Sequence, residues 1–142
     1  MIIKFVDLLD ANSALGPAEQ QQLAADHFSS VVENSHMTIW RPGEELPTHA
    51  DQTWIAIASY SLPDLQILDA LEAKLASKPR QNQIVVLFDL SSFPEFKDFE
   101  RYLPGIGRVY QTPVIGHWED GVLKDKASGA EAKNWLLQQY DI

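Results

Sequence analysis

None of the 142 residues of this chain is a cysteine. A disulfide framework, a thiolate-based zinc or iron–sulfur centre and any reaction that needs a cysteine nucleophile are therefore closed to it. Basic residues are also scarce: 11 Lys and Arg stand against 20 Asp and Glu, a formal charge of −9. Binding a phosphate backbone needs a basic face, so nucleic acid is not an expected partner. No apolar run reaches the ~20 residues that span a bilayer, so no membrane anchor is expected either. The opening Met1-Ile2-Ile3-Lys4-Phe5-Val6-Asp7-Leu8-Leu9-Asp10 sets acids inside its apolar stretch and has no small-residue cleavage site, which does not fit a secretory signal. The location expected from this is cytoplasmic.

What is present points to a packed globule. Hydrophobic residues make up 45% of the chain, including four Trp and six Phe, too many for a disordered segment. A single domain over 1–142 is expected, because a chain of this size buries roughly two thirds of its unfolded surface in one core. The charge is uneven. Residues 1 to 60 hold eight acids (Asp7, Asp10, Glu19, Asp26, Glu33, Glu44, Glu45 and Asp51) against Lys4 and Arg41. A basic protein surface would be steered toward that part.

Apolar spacing and turn residues predict alternating elements. Residues 2–8 suit a strand, and Gly16-Pro17 opens a helix to about Asn34 with Leu23, Phe28, Val31 and Val32 on one face, Pro being favoured in a first turn. Met37 to Trp40 is a short strand that ends at Arg41-Pro42-Gly43, and Glu44 to Gln52 is a polar loop. Trp54 to Ser59 is an apolar strand, and from Pro63 a helix carries Leu65, Leu68, Leu71 and Leu75 at three- and four-residue steps. Gln83 to Leu90 is nearly continuously apolar, as a strand covered on both faces is. A helix follows with Phe96, Phe99 and Leu103 inward, stopping before Pro104-Gly105. Val114 to Trp118 and Val122 to Lys126 flank Asp120-Gly121, a tight hairpin. Ser128 and Glu131 have capping-box spacing for a last helix.

The four histidines do not form a metal motif: His27, His36, His49 and His117 show no i,i+4 or short-loop spacing. No Gly-x-Ser-x-Gly elbow exists for a serine nucleophile. Most aromatics fall on inward faces, namely Trp54, Phe88, Phe96, Phe99, Trp118 and Trp135. Trp40 and Tyr60 sit at element ends beside turns, where a partly exposed aromatic serves as an interface anchor.

From Trp54 to Tyr140 the order of elements, with Thr112-Pro113-Val114 opening an antiparallel hairpin and a closing helix, resembles the thioredoxin fold. The resemblance implies an α/β class, a thioredoxin-like mixed β-sheet flanked by helices over 53–142, preceded by an N-terminal β-α extension over 1–52. It implies a cis bond before Pro113. Tyr60-Ser61-Leu62-Pro63-Asp64 aligns with the family's Trp-Cys-Gly-Pro-Cys signature, so Ser61 and Asp64 stand where the two cysteines would be, and Ile55 stands at the family's buried acid. All three redox parts are missing together.

The function this implies is a redox-inactive thioredoxin-like module that binds a protein partner, an adaptor or chaperone-like accessory protein. Cysteine-free relatives of similar general layout include accessory proteins of hydrogenase maturation. The binding residues expected from the resemblance are Tyr60, Ser61, Leu62, Asp64, Thr112 and Pro113, with no catalytic residue, metal or cofactor. Two alternatives stay open: a small acidic inhibitor or immunity protein directed at a basic enzyme, and a glutathione-binding enzyme using Ser61. Against the last, the all-helical second domain of glutathione transferases is absent, and Ser61 as a simple helix cap accounts for its position.

Overall fold

A computed structural model of the chain describes residues 14, 16–33, 37–40, 44, 51–58, 61–77, 84–90 and 111–142. Its elements, numbered in order, are α1 (Pro17–Glu33), β1 (Thr38–Trp40), β2 (Gln52–Ile57), α2 (Leu62–Ser77), β3 (Ile84–Asp89), β4 (Val114–Glu119), β5 (Val122–Ser128) and α3 (Gly129–Tyr140). The strand expected over 2–8, the helix with Phe96, Phe99 and Leu103, and Tyr60 lie outside the described residues.

The strands form one mixed sheet in the order β1-β3-β2-β4-β5. β1 and β2 run parallel to β3, β4 runs antiparallel to β2, and β5 runs antiparallel to β4. β3 is flanked on both sides, and Val85, Val86, Leu87 and Phe88 are all buried, as its apolar run predicts. β2 starts two residues before the expected Trp54, because Gln52 and Thr53 already pair with Ile84 and Val85 on one side and with Trp118 and His117 on the other. Polar residues can begin this buried strand because each side chain finds a partner. Trp54 Nε1 donates to Gln52 Oε1 at 2.8 Å, and Thr53 Oγ1 bonds His117 Nδ1 at 2.9 Å.

The hairpin forms at Asp120-Gly121, whose φ angles of 53° and 77° are both positive, the conformation of a tight type I′ turn. Between His117 and Trp118 the register shifts, with His117 opposite Asp125 and Trp118 opposite Leu123. Lys124 is thus the extra residue of a bulge, a device that bends an edge strand away from further pairing.

One face of the sheet carries Ile55, Ile57, Val85, Leu87 and Ile115, packed against α1, α2 and α3. Leu65, Leu68, Leu71 and Leu75 of α2 form the expected stripe and are all buried, each side chain contributing roughly 1.5–3 kcal/mol. Helix α1 begins as expected. Gln20 N–H reaches Gly16 O at 2.9 Å, and Glu19 folds back to accept from Gly16 N–H at 3.0 Å, the acidic half of a capping box. Ala24, Phe28 and Val31 of α1 enter the same core, and His27 Nε2 meets Asp69 Oδ1 of α2 at 2.8 Å, both buried.

The opposite face carries Trp40, Trp54, Ala56, Val86, Phe88, Leu90 and Val114. Trp40 is 3% exposed, its ring lies 5.0 Å from that of Phe88, and its Nε1 donates to Glu44 O at 3.0 Å. The expectation of a partly exposed anchor at Trp40 is therefore corrected. Pairing with Phe88 in the β1–β3 ladder points both side chains into the same core. No helix among the described residues is long and apolar enough to cross a membrane.

Candidate functional site

Where β2 leaves the sheet the chain turns back at once. Ser61 N–H donates to Ala58 O at 2.9 Å, and Leu65 N–H to Ser61 O at 3.0 Å, closing the turn that launches α2. Pro63 fits this first turn because the N–H it lacks has no intrahelical acceptor there. Asp64 follows, at a place where an acid complements the helix dipole. Its side chain points inward instead of to solvent, with only 1% of the residue exposed. Its Oδ2 accepts from Ala58 N–H at 2.9 Å, and the Thr112 side chain supplies a second hydrogen bond.

Burial pushes the Asp64 carboxyl above its ordinary 3.8, and the bonds from Ala58 and Thr112 pull down without cancelling that rise. A carboxyl whose pKa rises on folding holds its proton more tightly in the native state. Its contribution to stability is therefore largest below 3.8 and is lost as pH rises through the folded-state value. Asp64→Asn keeps an acceptor for Ala58 and removes the charge. We expect this variant to lose that part of the pH dependence and to be at least as stable as the parent at neutral pH. Urea unfolding of both proteins between about pH 3 and pH 8 measures it, and identical profiles would contradict the assignment.

The Thr112-Pro113 bond is cis, as the resemblance implies, and the loop it forms enters β4. On its other side this loop meets the start of α3: Gly129 N–H is shared between Gln111 O and Pro113 O, at 2.9 Å each. The approach is close enough that a Cβ on Gly129 would lie 2.8 Å from Gln111 Oε1. The capping bond expected from Ser128 does not form. Ser128 is still extended and paired with Val114 in the sheet, and the first helical N–H is taken by the loop carbonyls instead.

Of the six residues expected at the site, five are described, and they fall at the end of the sheet where β2 leads into α2 and the 111–113 loop enters β4. Ser61 and Thr112 are half-buried, Leu62 is 36% exposed, and Asp64 and Pro113 are buried. The Asp64 and Pro113 side chains therefore lie beneath the surface at this end of the sheet. Ile55 is packed among apolar side chains. With no cysteine in the chain, thiol–disulfide exchange has no nucleophile here.

Sequence reasoning missed a second polar arrangement, at the opposite end of β2 and β4. His117 bonds buried Thr53 through Nδ1 and Glu119 through Nε2, at 2.9 and 3.1 Å, with the Trp135 ring tilted against it 5.3 Å away. A hydroxyl, an imidazole and a carboxylate in line suggest nucleophilic chemistry. Thr53, however, is 0% exposed, so no substrate reaches its hydroxyl, and the network serves to satisfy buried polar groups. Nothing in the spacing of 53, 117 and 119 marks it in the sequence. Among the described residues no group of three or more His, Asp or Glu is placed to hold a metal ion.

No protein-family model matches the sequence, and no curated protein matches it. Solved structures do match. A chain from a study of the thiol-resolving mechanism of yeast mitochondrial 1-Cys peroxiredoxin via glutathione/thioredoxin systems superposes with a TM-score of 0.53 at 17% identity, covering 75% of this chain and 97% of that one. Oxidised thioredoxin O2 from Arabidopsis thaliana gives 0.50 at 15% identity, covering 75% and 96%. The chain has the thioredoxin fold. Full-length ERdj5 gives 0.54 at 14% identity over 84% of this chain and 16% of that one, so there the match is to one part of a larger protein. In this fold α2 follows β2, and the cis Thr112-Pro113 bond precedes β4. α1 precedes the first strand of the sheet.

Proposed function

We propose that this chain is a redox-inactive thioredoxin-fold module that engages a protein partner through the head of α2 and the cis-Pro loop. One observation carries this reading. Leu62 is one of two large hydrophobic side chains exposed among the described residues, the other being Val122 on the hairpin. Leu62 stands directly above an anchored corner: Asp64 is fastened to Ala58 and Thr112, and the loop to Gly129. An exposed apolar group on a rigid platform is what an interface anchor requires, because little ordering entropy is lost on binding. No thiol chemistry accounts for it.

The test is a comparison of partners retained from the source cell, then calorimetry with the partner that co-purifies. Tyr60→Ala with Leu62→Ala is expected to weaken that complex by about 2 kcal/mol or more while leaving thermal unfolding unchanged. Unaltered affinity in the folded double variant would move the interface elsewhere. The acidic inhibitor reading then gains ground. Its support is the charge of −9 and the acids Asp51, Glu119 and Asp120 gathered at the hairpin end, where Asp120 N–H donates to Asp51 Oδ1 at 2.8 Å. A glutathione titration followed at Ser61 and Thr112 tests the enzyme reading separately, and absence of any perturbation removes it.

A further inference from the structure

We propose that the outer face of α2 is where two copies of this chain meet, antiparallel about a two-fold axis, with Leu62 at each end of the contact. The proposal deepens the reading above by naming a second copy as an occupant of the Leu62 corner, and it rests on that reading only for Leu62 as an anchor.

The charges of α2 are inverted for a helix that faces water. Its three acids, Asp64, Asp69 and Glu72, are buried, and its one base, Lys74, has a side chain 26% exposed that reaches Asp141 at 3.7 Å. What α2 turns outward is Leu62, Pro63, Gln66, Ala70, Ala73 and the Ala76-Ser77 end, none of them charged. Even the Ser77 hydroxyl is folded back onto the helix, donating to Lys74 O at 2.9 Å. From Leu62 the steps to Gln66, Ala70, Ala73 and Ser77 are four, four, three and four residues, so these side chains line one side of the helix. A surface helix ordinarily carries its charges on that side.

The other helices show the contrast. α1 exposes Glu19, Asp26 and Glu33 and contains no Lys or Arg, and α3 exposes Glu131 and Lys133. A chain of charge −9 repels its own copy wherever acids face outward. Among the described helices, α2 offers a like-charged copy a face without that repulsion.

The shape of the face selects the same occupant. A two-fold contact requires a patch that complements itself. An axis crossing α2 midway between Gln66 and Ala73 sets Leu62 opposite Ser77 of the copy, Pro63 opposite Ala76 and Gln66 opposite Ala73. Each longer side chain of the first half thus meets a short one of the second. Short side chains let helix axes approach to about 8 Å, and the antiparallel arrangement sets opposite ends of the two helix dipoles side by side. One helix face is small for an interface, so the association expected is reversible and in the micromolar range.

Sedimentation equilibrium of the purified full chain between about 5 and 500 µM should show the mass rise from one chain to two. Ala73→Glu puts an acid beside the axis, at an exposed position that accepts a good helix former, and should raise the dissociation constant at least about tenfold. Gln138→Glu, on the exposed side of α3, should leave it unchanged. Single cysteines introduced into this cysteine-free chain read the register. Gln66→Cys mixed with Ala73→Cys should form a disulfide-linked pair under mild oxidant faster than either variant alone, because the antiparallel axis brings those two positions opposite each other. A chain that stays monomeric at the upper concentration, a dimer that folded Ala73→Glu leaves intact, or cross-linking no faster in the mixture would each overturn the proposal. Should Ala73→Glu fail to fold, the cysteine pair still decides. These measurements need no other protein. A monomeric chain whose partner binding still depends on Leu62 would therefore leave the reading of that corner standing, and a dimer whose Tyr60→Ala, Leu62→Ala variant binds its partner unchanged would leave this proposal standing.

Discussion

Asp69→Ala is expected to lower the unfolding free energy by about 3 kcal/mol and to loosen α1. The Asp69 carboxyl and the His27 imidazole face each other at 2.8 Å, with side chains 6% and 2% exposed. Truncating the acid takes the 2.8 Å bond from the buried imidazole and leaves a small void beside it, and removing one member of such a pair costs roughly 1–3 kcal/mol if it is neutral and 3–5 kcal/mol if it is charged. Replacing both together, as His27→Leu with Asp69→Leu, should cost less than the sum of the two single losses, because neither group then faces the gap left by the other. Urea denaturation of the single and double variants measures this, with amide exchange in α1 as the local readout. If Asp69→Ala costs no more than Gln66→Ala at an exposed turn of the same helix, the pair does not hold α1 in place.

That pair also bears on function. Through Ala24, His27, Phe28 and Val31, α1 covers part of the face of α2, and what it covers is closed to a partner. The head of α2, where Leu62 stands, is where a large apolar side chain of that helix remains exposed. The N-terminal segment thus narrows the available surface toward the corner that the cis-Pro loop completes.

How far the sequence reveals this arrangement depends on whether the cause is local. The Asp120-Gly121 turn, the leucine stripe of α2, the Pro17 start of α1 and the apolar run of β3 are set by neighbours a few residues apart, and all are legible. Trp40 is not, because its burial comes from pairing with Phe88, a contact that no local rule encodes. Asp64 is the sharpest case. By position it is an acid in a helix's first turn, and only the meeting with Thr112 and the end of β2 takes it inside. The His27–Asp69 pair and the Thr53–His117–Glu119 network are long-range in the same way. Gly129 looks like a residue inside a capping box; the loop carbonyls that claim its N–H belong to another part of the chain.

Gly129→Ala is expected to cost about 3 kcal/mol and to disturb the cis-Pro loop together with the start of α3. Two effects add at this residue. Its φ of +61° lies in the left-handed region, where a residue with a Cβ is less stable by about 1–2 kcal/mol. The new Cβ would also lie 2.8 Å from Gln111 Oε1 and 3.0 Å from Gln111 Cβ. The amide oxygen sits at the end of a flexible side chain and can swing away, but the Cβ moves only with the loop backbone, and crowding of this kind costs about 1–3 kcal/mol. Gln111→Gly separates the two terms: in that background the clash disappears and the penalty for Gly129→Ala should shrink to the backbone part alone. Because Gly129 N–H is the bond that holds Gln111 O and Pro113 O, the single variant should also displace Thr112 and weaken partner binding with Leu62 intact. A Gly129→Ala protein that loses stability yet binds as tightly as the parent would show that the loop is scaffolding, with recognition carried by the head of α2 alone.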